Sequence, residues 1–321
     1  MKHLYKKLIL AAFLGASAVD LKAQDPELTQ FYASPLYLNP ALAGNRICPR
    51  ISMSYRMQWP GITGTYSSVA ASYDQLAQKI KGGIGLVFVN DRAAQGTLNT
   101  TGVGLIYAPY IKLGPRASIS AALQAGYWQK AVNWSKLHFG DEIDSHKGFI
   151  FNTGEAQGLD KAGNFDMAAG LALNSDRFFA GVAVHHIFEP NESFLGGTSI
   201  LPRKYTAHAG GIIRFDKHSR QPESYISPNI LYQVQGDFQQ LNLGLYVKKE
   251  SIVGGLWYRG NDSFIVLLGI EAGSARIGYS YDVTISKLTN ATAGAHELSF
   301  GWQFTCKPMS KKYRPGMCPS W

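Results

Sequence analysis

The sequence predicts an all-β protein, a transmembrane antiparallel β-barrel of fourteen strands, exported to a Gram-negative outer membrane. Three observations predict it. The chain opens with an export signal. Beyond that signal there is no run of the roughly 20 apolar residues that a membrane helix needs. From Arg50 onward, short segments alternate apolar and polar side chains and are separated by turn residues, the pattern of strands with one face to lipid and one to a lumen. Lipid cannot satisfy open backbone N–H and C=O groups, so a chain that crosses without helices must close into a barrel. A single barrel also accommodates all 321 residues.

Residues 1–23 read as a Sec-type signal peptide. Lys2, His3, Lys6 and Lys7 precede a short apolar core, Leu8 to Val19, and Leu21-Lys22-Ala23 offers a cleavage point before Gln24. That core is too short to span a bilayer as an anchor.

Residues 24–49 lack the strand alternation of the barrel segments. Asp25 can cap a helix with Pro26 in its first turn. Leu28, Phe31 and Tyr32 then share one helical face, and Pro35 stops the helix. Asn39-Pro40 and Ala43-Gly44 favour turns. This aromatic, proline-stopped piece is expected to pack in the barrel's lumen or at its periplasmic mouth. Phe31, Tyr32, Pro35, Tyr37, Asn39, Pro40 and Gly44 are its candidate packing or partner residues.

Residues 50–304 carry the barrel. The strands expected are 50–59, 66–75, 82–91, 98–112, 117–130, 164–174, 177–187, 205–215, 225–235, 239–248, 251–259, 262–272, 275–283 and 294–304. Twelve or sixteen strands remain compatible with the boundaries. Leu298, Phe300, Trp302 and Phe304 are assigned to lipid, with Ser299, Gly301 and Gln303 to the lumen. Tyr107, Tyr110, Tyr127, Trp128, Trp257, Tyr258, Tyr279 and Tyr281 are candidates for interfacial aromatic girdles. With a periplasmic N-terminus, tight turns such as Lys249-Glu250 and Gly273-Ser274 fall inside, and the long connections 131–163, 188–204 and 284–293 fall outside.

Residues 305–321 form a basic tail expected in the periplasm. The chain carries +9 formally, of which Lys307, Lys311, Lys312 and Arg314 supply four charges with no acid beside them. These four are candidates for docking an acidic periplasmic partner. No nucleic-acid motif accompanies the basic balance. Of the three cysteines, Cys306 and Cys318 would close a small loop. Cys48 and Cys306 are the alternative pair, because the first and last strands of a closed barrel are neighbours.

Sequence signs of catalysis or cofactor binding are weak. His185 and His186 are adjacent at a strand end, so their side chains should point to opposite faces unless a bulge intervenes, and they read as rim residues without a shared metal. Asp141, Glu142, Asp144 and His146 lie in the longest loop without Ca²⁺-loop spacing and read as a solvated surface. There is no nucleophile elbow or phosphate loop. The expectation is a non-enzymatic protein with no cofactor and no metal.

One stretch carries a specific likeness. Gln24-Asp25-Pro26, Gln30-Phe31, Pro35-Leu36, Asn39-Pro40-Ala41 and Ala43-Gly44 resemble the mature opening of the PorP/SprF family of Bacteroidetes outer-membrane proteins, and Cys318-Pro319 resembles that family's short ending. The resemblance implies a part in type IX protein secretion and gliding motility. It implies supporting the export or surface anchoring of a cargo adhesin through the cargo's C-terminal domain. The partners implied are that cargo, periplasmic ring or translocon components, and outer-membrane lipid. The competing class is a plugged outer-membrane channel or hydrophobic-solute transporter unrelated to secretion.

Overall fold

A computed structural model describes residues 24–62, 64–114, 117–144, 146–215, 224–285 and 293–306. Residues 1–23, expected from sequence to be a signal peptide, and Lys307, Lys311, Lys312, Arg314 and Cys318 of the tail, lie outside the described residues.

Period-two alternation is realised as one closed barrel of fourteen antiparallel strands. In chain order these are β1 Arg50–Gln58, β2 Tyr66–Ala77, β3 Gly82–Ala93, β4 Leu98–Lys112, β5 Ala117–Val132, β6 Lys161–Ser175 and β7 Phe178–His185. They continue with β8 Lys204–Gly211 (extended by Ile213–Arg214), β9 Ser224–Gln235, β10 Phe238–Lys249, β11 Ile252–Arg259, β12 Ser263–Ala272, β13 Ala275–Thr284 and β14 Ala295–Gln303. Each strand pairs with its sequence neighbours, and β14 returns to β1 in unbroken register from Arg50↔Gln303 to Gln58↔Ala295. Closure removes the unpaired edges that a bilayer would not tolerate.

The alternation sorts side chains between two solvents. Leu298, Phe300 and Trp302 point out along β14, as do Leu241, Leu243, Leu245 and Val247 along β10. Ser118, Ser120, Ala122 and Gln124 of β5 point in. Three girdle assignments are corrected, the first being Tyr110, which lies opposite inward-facing Ser120 and shares its face. Trp257 is buried and faces the lumen, and Trp128 packs against the internal core. Their strands place them on the inward phase, where an indole meets the core instead of the lipid interface.

The two rims differ. At the rim where β1 begins, the pairs β6–β7, β10–β11 and β12–β13 are joined by two residues each, 176–177, 250–251 and 273–274. At the opposite rim, β5–β6 and β7–β8 are joined by 133–160 and 186–203. Short periplasmic turns and long outer loops make the latter rim extracellular.

Residues 24–49 run through the interior of the barrel. From Leu28 to Asn45 nearly every side chain is buried, and Gln30, Leu36, Asn39 and Ala41 have no exposed surface. The helix expected from Asp25 does not form. Residues 24–30 are irregular, and helix appears only as a single turn, α1, at Pro35–Leu38, followed by a 3-10 turn at Pro40–Leu42. Proline stands first in α1, where its missing N–H removes no internal bond, so Pro35 starts a helix instead of stopping one. Upstream, backbone donors are satisfied by the barrel wall, which removes the need for helical bonding.

Candidate functional site

The candidate site is the interior contact between residues 24–45 and the barrel wall. It runs from the outer rim to the periplasmic rim and is held at four levels.

At the outer rim stands Asp25. Its N–H donates to Gln235 Oε1 at 2.9 Å, and its carboxylate meets His186 Nε2 at 2.9 Å and Lys204 Nζ at 3.7 Å. The other ring nitrogen of His186 lies 2.7 Å from Asp166 Oδ2. Burial alone would discharge this imidazole, but the Asp25 charge and the hydrogen bonds to both carboxylates outweigh it and push its pKa up to about 10. Burial would likewise raise Asp25, yet the His186 and Lys204 charges prevail and hold it well below the usual carboxylate range. A β-bulge creates this contact. β6 and β7 pair in register as far as Ala169↔Val184. Beyond it, Ile187 N donates to Met167 O, one residue out of step, and His186 adopts φ 57°. His185 already lies on the inward phase of β7 with Phe179 and Ala183, and the extra residue turns His186 inward as well, so both line one interior cavity. The bulge is the exception to opposite faces that the alternation rule allowed.

Below lies a buried charge cluster. Arg56 of β1 and Arg259 of β11 reach Asp282 Oδ2 of β13 at 2.9 and 3.0 Å. Glu297 of β14 accepts the Thr29 and Gln30 N–H groups at 2.5 and 3.1 Å. Thr29 Oγ1 contacts both Asp282 and Arg56. Gln30 Nε2 donates to Ser280 Oγ and to the Glu297 carbonyl, while Ser299 Oγ donates to Gln30 Oε1 at 2.6 Å. Four strands thus converge on two consecutive residues of the threaded segment. Buried charges persist only when paired and hydrogen-bonded, and Asp282, Glu297, Arg56 and Arg259 are each engaged by at least one such partner.

Next comes the aromatic level. Phe31 packs edge-on against Trp257, with ring centroids 4.6 Å apart, and Tyr32 lies edge-on to Phe179 at 5.5 Å. Tyr37 donates its hydroxyl proton to Pro26 O at 2.5 Å and has Lys204 Nζ over its ring. Asn39 Nδ2 lies 3.1 and 3.2 Å from the Leu171 and Val182 carbonyls and 3.2 Å from His208 Nε2, and Asn39 Oδ1 accepts from Ala41 N. Gly170 and Gly181 leave the space that Asn39 occupies.

At the periplasmic rim the backbones touch. Gly44, at φ 67°, lies against Gly83 of β3, and a Cβ on Gly83 would fall 2.0 Å from the Ala43 carbonyl oxygen. Gly44 N donates to Asp74 Oδ2 at 2.9 Å, and Asp74 Oδ1 accepts from Arg50 Nε at 2.9 Å. Pro40 is buried between Asn39 and Ala41. Just beyond, Cys48 is bonded to Cys306, with Cα atoms 5.5 Å apart. The bridge is the alternative pairing, not Cys306–Cys318, because closure of the barrel brings the start of β1 beside the end of β14.

Phe31, Tyr32, Pro35, Tyr37, Asn39, Pro40 and Gly44 therefore share one interior path. Arg56, Arg259, Asp282, Glu297 and Asp166 complete it and were not singled out in the sequence, and Asp25, read there as a helix cap, joins them as a charge anchor. The signal of the first five was a charge on the inward phase of a strand. The loop acids are self-satisfied. Asp141 accepts from Thr153 Oγ1 and Gly154 N, and Asp144 from His146 N and Lys147 N.

Comparison places this architecture among known proteins. The toluene transporter TbuX of Ralstonia pickettii superposes with a TM-score of 0.50 at 10% identity, covering 84% of this chain and 93% of that one. A Pseudomonas aeruginosa FadL homologue gives 0.48 at 10% identity, covering 89% and 100%. At such identity, TbuX speaks for the outer-membrane barrel fold alone. No curated protein matches the sequence. A family model described as type IX secretion system membrane protein PorP/SprF matches residues 20–302. The chain belongs to the PorP/SprF family of type IX secretion system membrane proteins and is an outer-membrane β-barrel.

Proposed function

We propose that this barrel is a non-enzymatic partner-binding component of type IX secretion, which supports export and surface anchoring of a cargo adhesin through the cargo's C-terminal domain, in service of gliding. What supports this reading is membership of the PorP/SprF family together with the outer surface of the barrel. Residues 24–45 fill the lumen as a plug, a feature that a plugged channel would share, so the weight falls on the surfaces. Its outer surface offers the paired loops 133–160 and 186–203. They are joined by Leu159 N to Phe194 O at 2.8 Å, and Glu192 of the second loop pairs with Lys130 of β5 at 2.8 Å. Phe149, Ile150, Phe151, Phe188 and Leu195 stand exposed on them, beyond the strands that face lipid. Exposed apolar side chains gathered on loops suit a protein partner. On the periplasmic side, Lys307, Lys311, Lys312 and Arg314 would dock ring or translocon components.

The test is a gentle-detergent pull-down of the tagged protein from its native outer membrane, with mass spectrometry of what co-purifies and bilayer conductance of the purified barrel. Recovery of a large adhesin or secretion-ring proteins, with no conductance, is the expected result. A barrel that purifies alone and conducts overturns the reading in favour of a channel.

A further inference from the structure

Between the outer end of the plug and the walls of β3 to β7 lies a cavity of about 70 Å³. Asp25 and Tyr37 of the plug line one side, and Gln124, Trp128, Asp166 and His185 line the other. A volume of this size holds a few waters or one small polar head.

Its lining is unbalanced in a particular sense. Asp166 Oδ1, Gln124 Oε1 and both ring nitrogens of His185 are buried and have no hydrogen-bond partner among the described residues. Asp166 and Gln124 are themselves 4% and 5% exposed. A carboxylate oxygen and an amide oxygen are acceptors only, so these atoms call for donors that the lining does not supply. Four carboxylates, Asp25, Asp91, Asp166 and Glu192, face Lys130, Lys204 and His186, which leaves a net negative balance. Val87, Val89 and Leu36 add an apolar wall, and the rings of Tyr37 and Trp128 add aromatic faces. Buried acceptors without donors cost free energy until a donor arrives, and aromatic faces favour a cationic one.

We propose that this outer-rim cavity is a binding site for an alkyl-borne cation, a primary ammonium or guanidinium group, with its head on Asp166, Gln124 and His185 and its stem along Val87 and Val89. The chemistry fits either a free small amine or a lysine or arginine side chain of a polypeptide. The site is independent of the secretion reading. It also touches the plug directly, because Asp166 holds His186, which holds Asp25.

The test is isothermal titration of the full-length protein in detergent with agmatine, Nα-acetyl-lysine methylamide, a lysine-containing hexapeptide and, as an anionic control, acetate. Saturable binding of the cations without acetate binding is expected. Gln124→Leu keeps the bulk and removes one acceptor. It should weaken binding at least tenfold while leaving the thermal unfolding midpoint in place. Asp166→Asn should weaken binding further, but it also touches the plug, so Gln124→Leu carries the test. Tighter binding of the hexapeptide than of acetyl-lysine methylamide would identify a polypeptide source, and the reverse order a free amine. No saturable cation binding, equal binding of acetate, or unchanged affinity in Gln124→Leu would overturn the proposal.

Discussion

The two ends of the threaded segment are fastened by different physics. The outer end is held by charge: Asp25 against His186 and Lys204, backed by Asp166. The periplasmic end is held mainly by shape and covalency: Gly44 against Gly83, then Cys48 bonded to Cys306, with one buried pair, Asp74 and Arg50, beneath Gly44. Charge contacts respond to pH and to competing ions, whereas close packing and a disulfide do not. The segment is therefore fixed below and adjustable above.

That contrast can be broken from its middle outward. The largest effect is expected from Asp282→Ala, which takes the nearest carboxylate from buried Arg56 and Arg259. Breaking a buried pair by removing one partner costs about 3–5 kcal/mol. The shift would be read in the heat-modifiable gel mobility of the barrel. Next, Cys48→Ser should lower stability by about 2–4 kcal/mol, because the bridge spans 258 positions of sequence. Reductant should mimic it in the wild type and do nothing in the variant. Gly83→Ala should come third with a loss of about 1–3 kcal/mol, the overpacking range, since its Cβ would strike the Ala43 carbonyl. If the periplasmic end were loosely held, this substitution would be silent.

The smallest effect is a pH dependence confined to the outer end. His186 has a raised pKa, so its contribution is complete below about 6.5, the unfolded value, and fades as pH rises through about 10. Asp25 has a lowered pKa, so its contribution is present above about 3.9 and fades only as pH falls through its lower folded value. The outer fastening is thus complete between about pH 3.9 and 6.5 and, with His186 still protonated, mostly retained at neutral pH. Hydrogen exchange at residues 25–30 should accelerate near pH 10 while residues 40–45 stay protected. Equal acceleration at both ends, or none in the wild type, would contradict the comparison. In His186→Gln the response should vanish.

The barrel was legible because its information is local. Alternation in stretches such as Gln239–Lys248 needs no partner to declare a strand, and the fourteen expected strands match the fourteen observed. Gly170 and Gly181 gave no such signal, since their role is defined by Asn39, more than a hundred residues away. The helix expected at Asp25 failed for the same reason. Its backbone donors at Thr29 and Gln30 are claimed by Glu297, which lies far along the chain. The inward turn of His186 beside His185 depends on one inserted residue in a ladder, which a period-two reading registers only as a strand ending.

The Cys48–Cys306 bridge has a topological consequence. These two residues bracket all fourteen strands, so the bond turns the barrel wall into a covalent ring. The seam between β1 and β14 is the junction where the wall's two chain ends meet. A lateral gate at that seam would have to unzip from the extracellular side, with its periplasmic edge acting as a locked hinge. Residues 24–47 lie outside the ring, so the ring can close before or after the plug is seated.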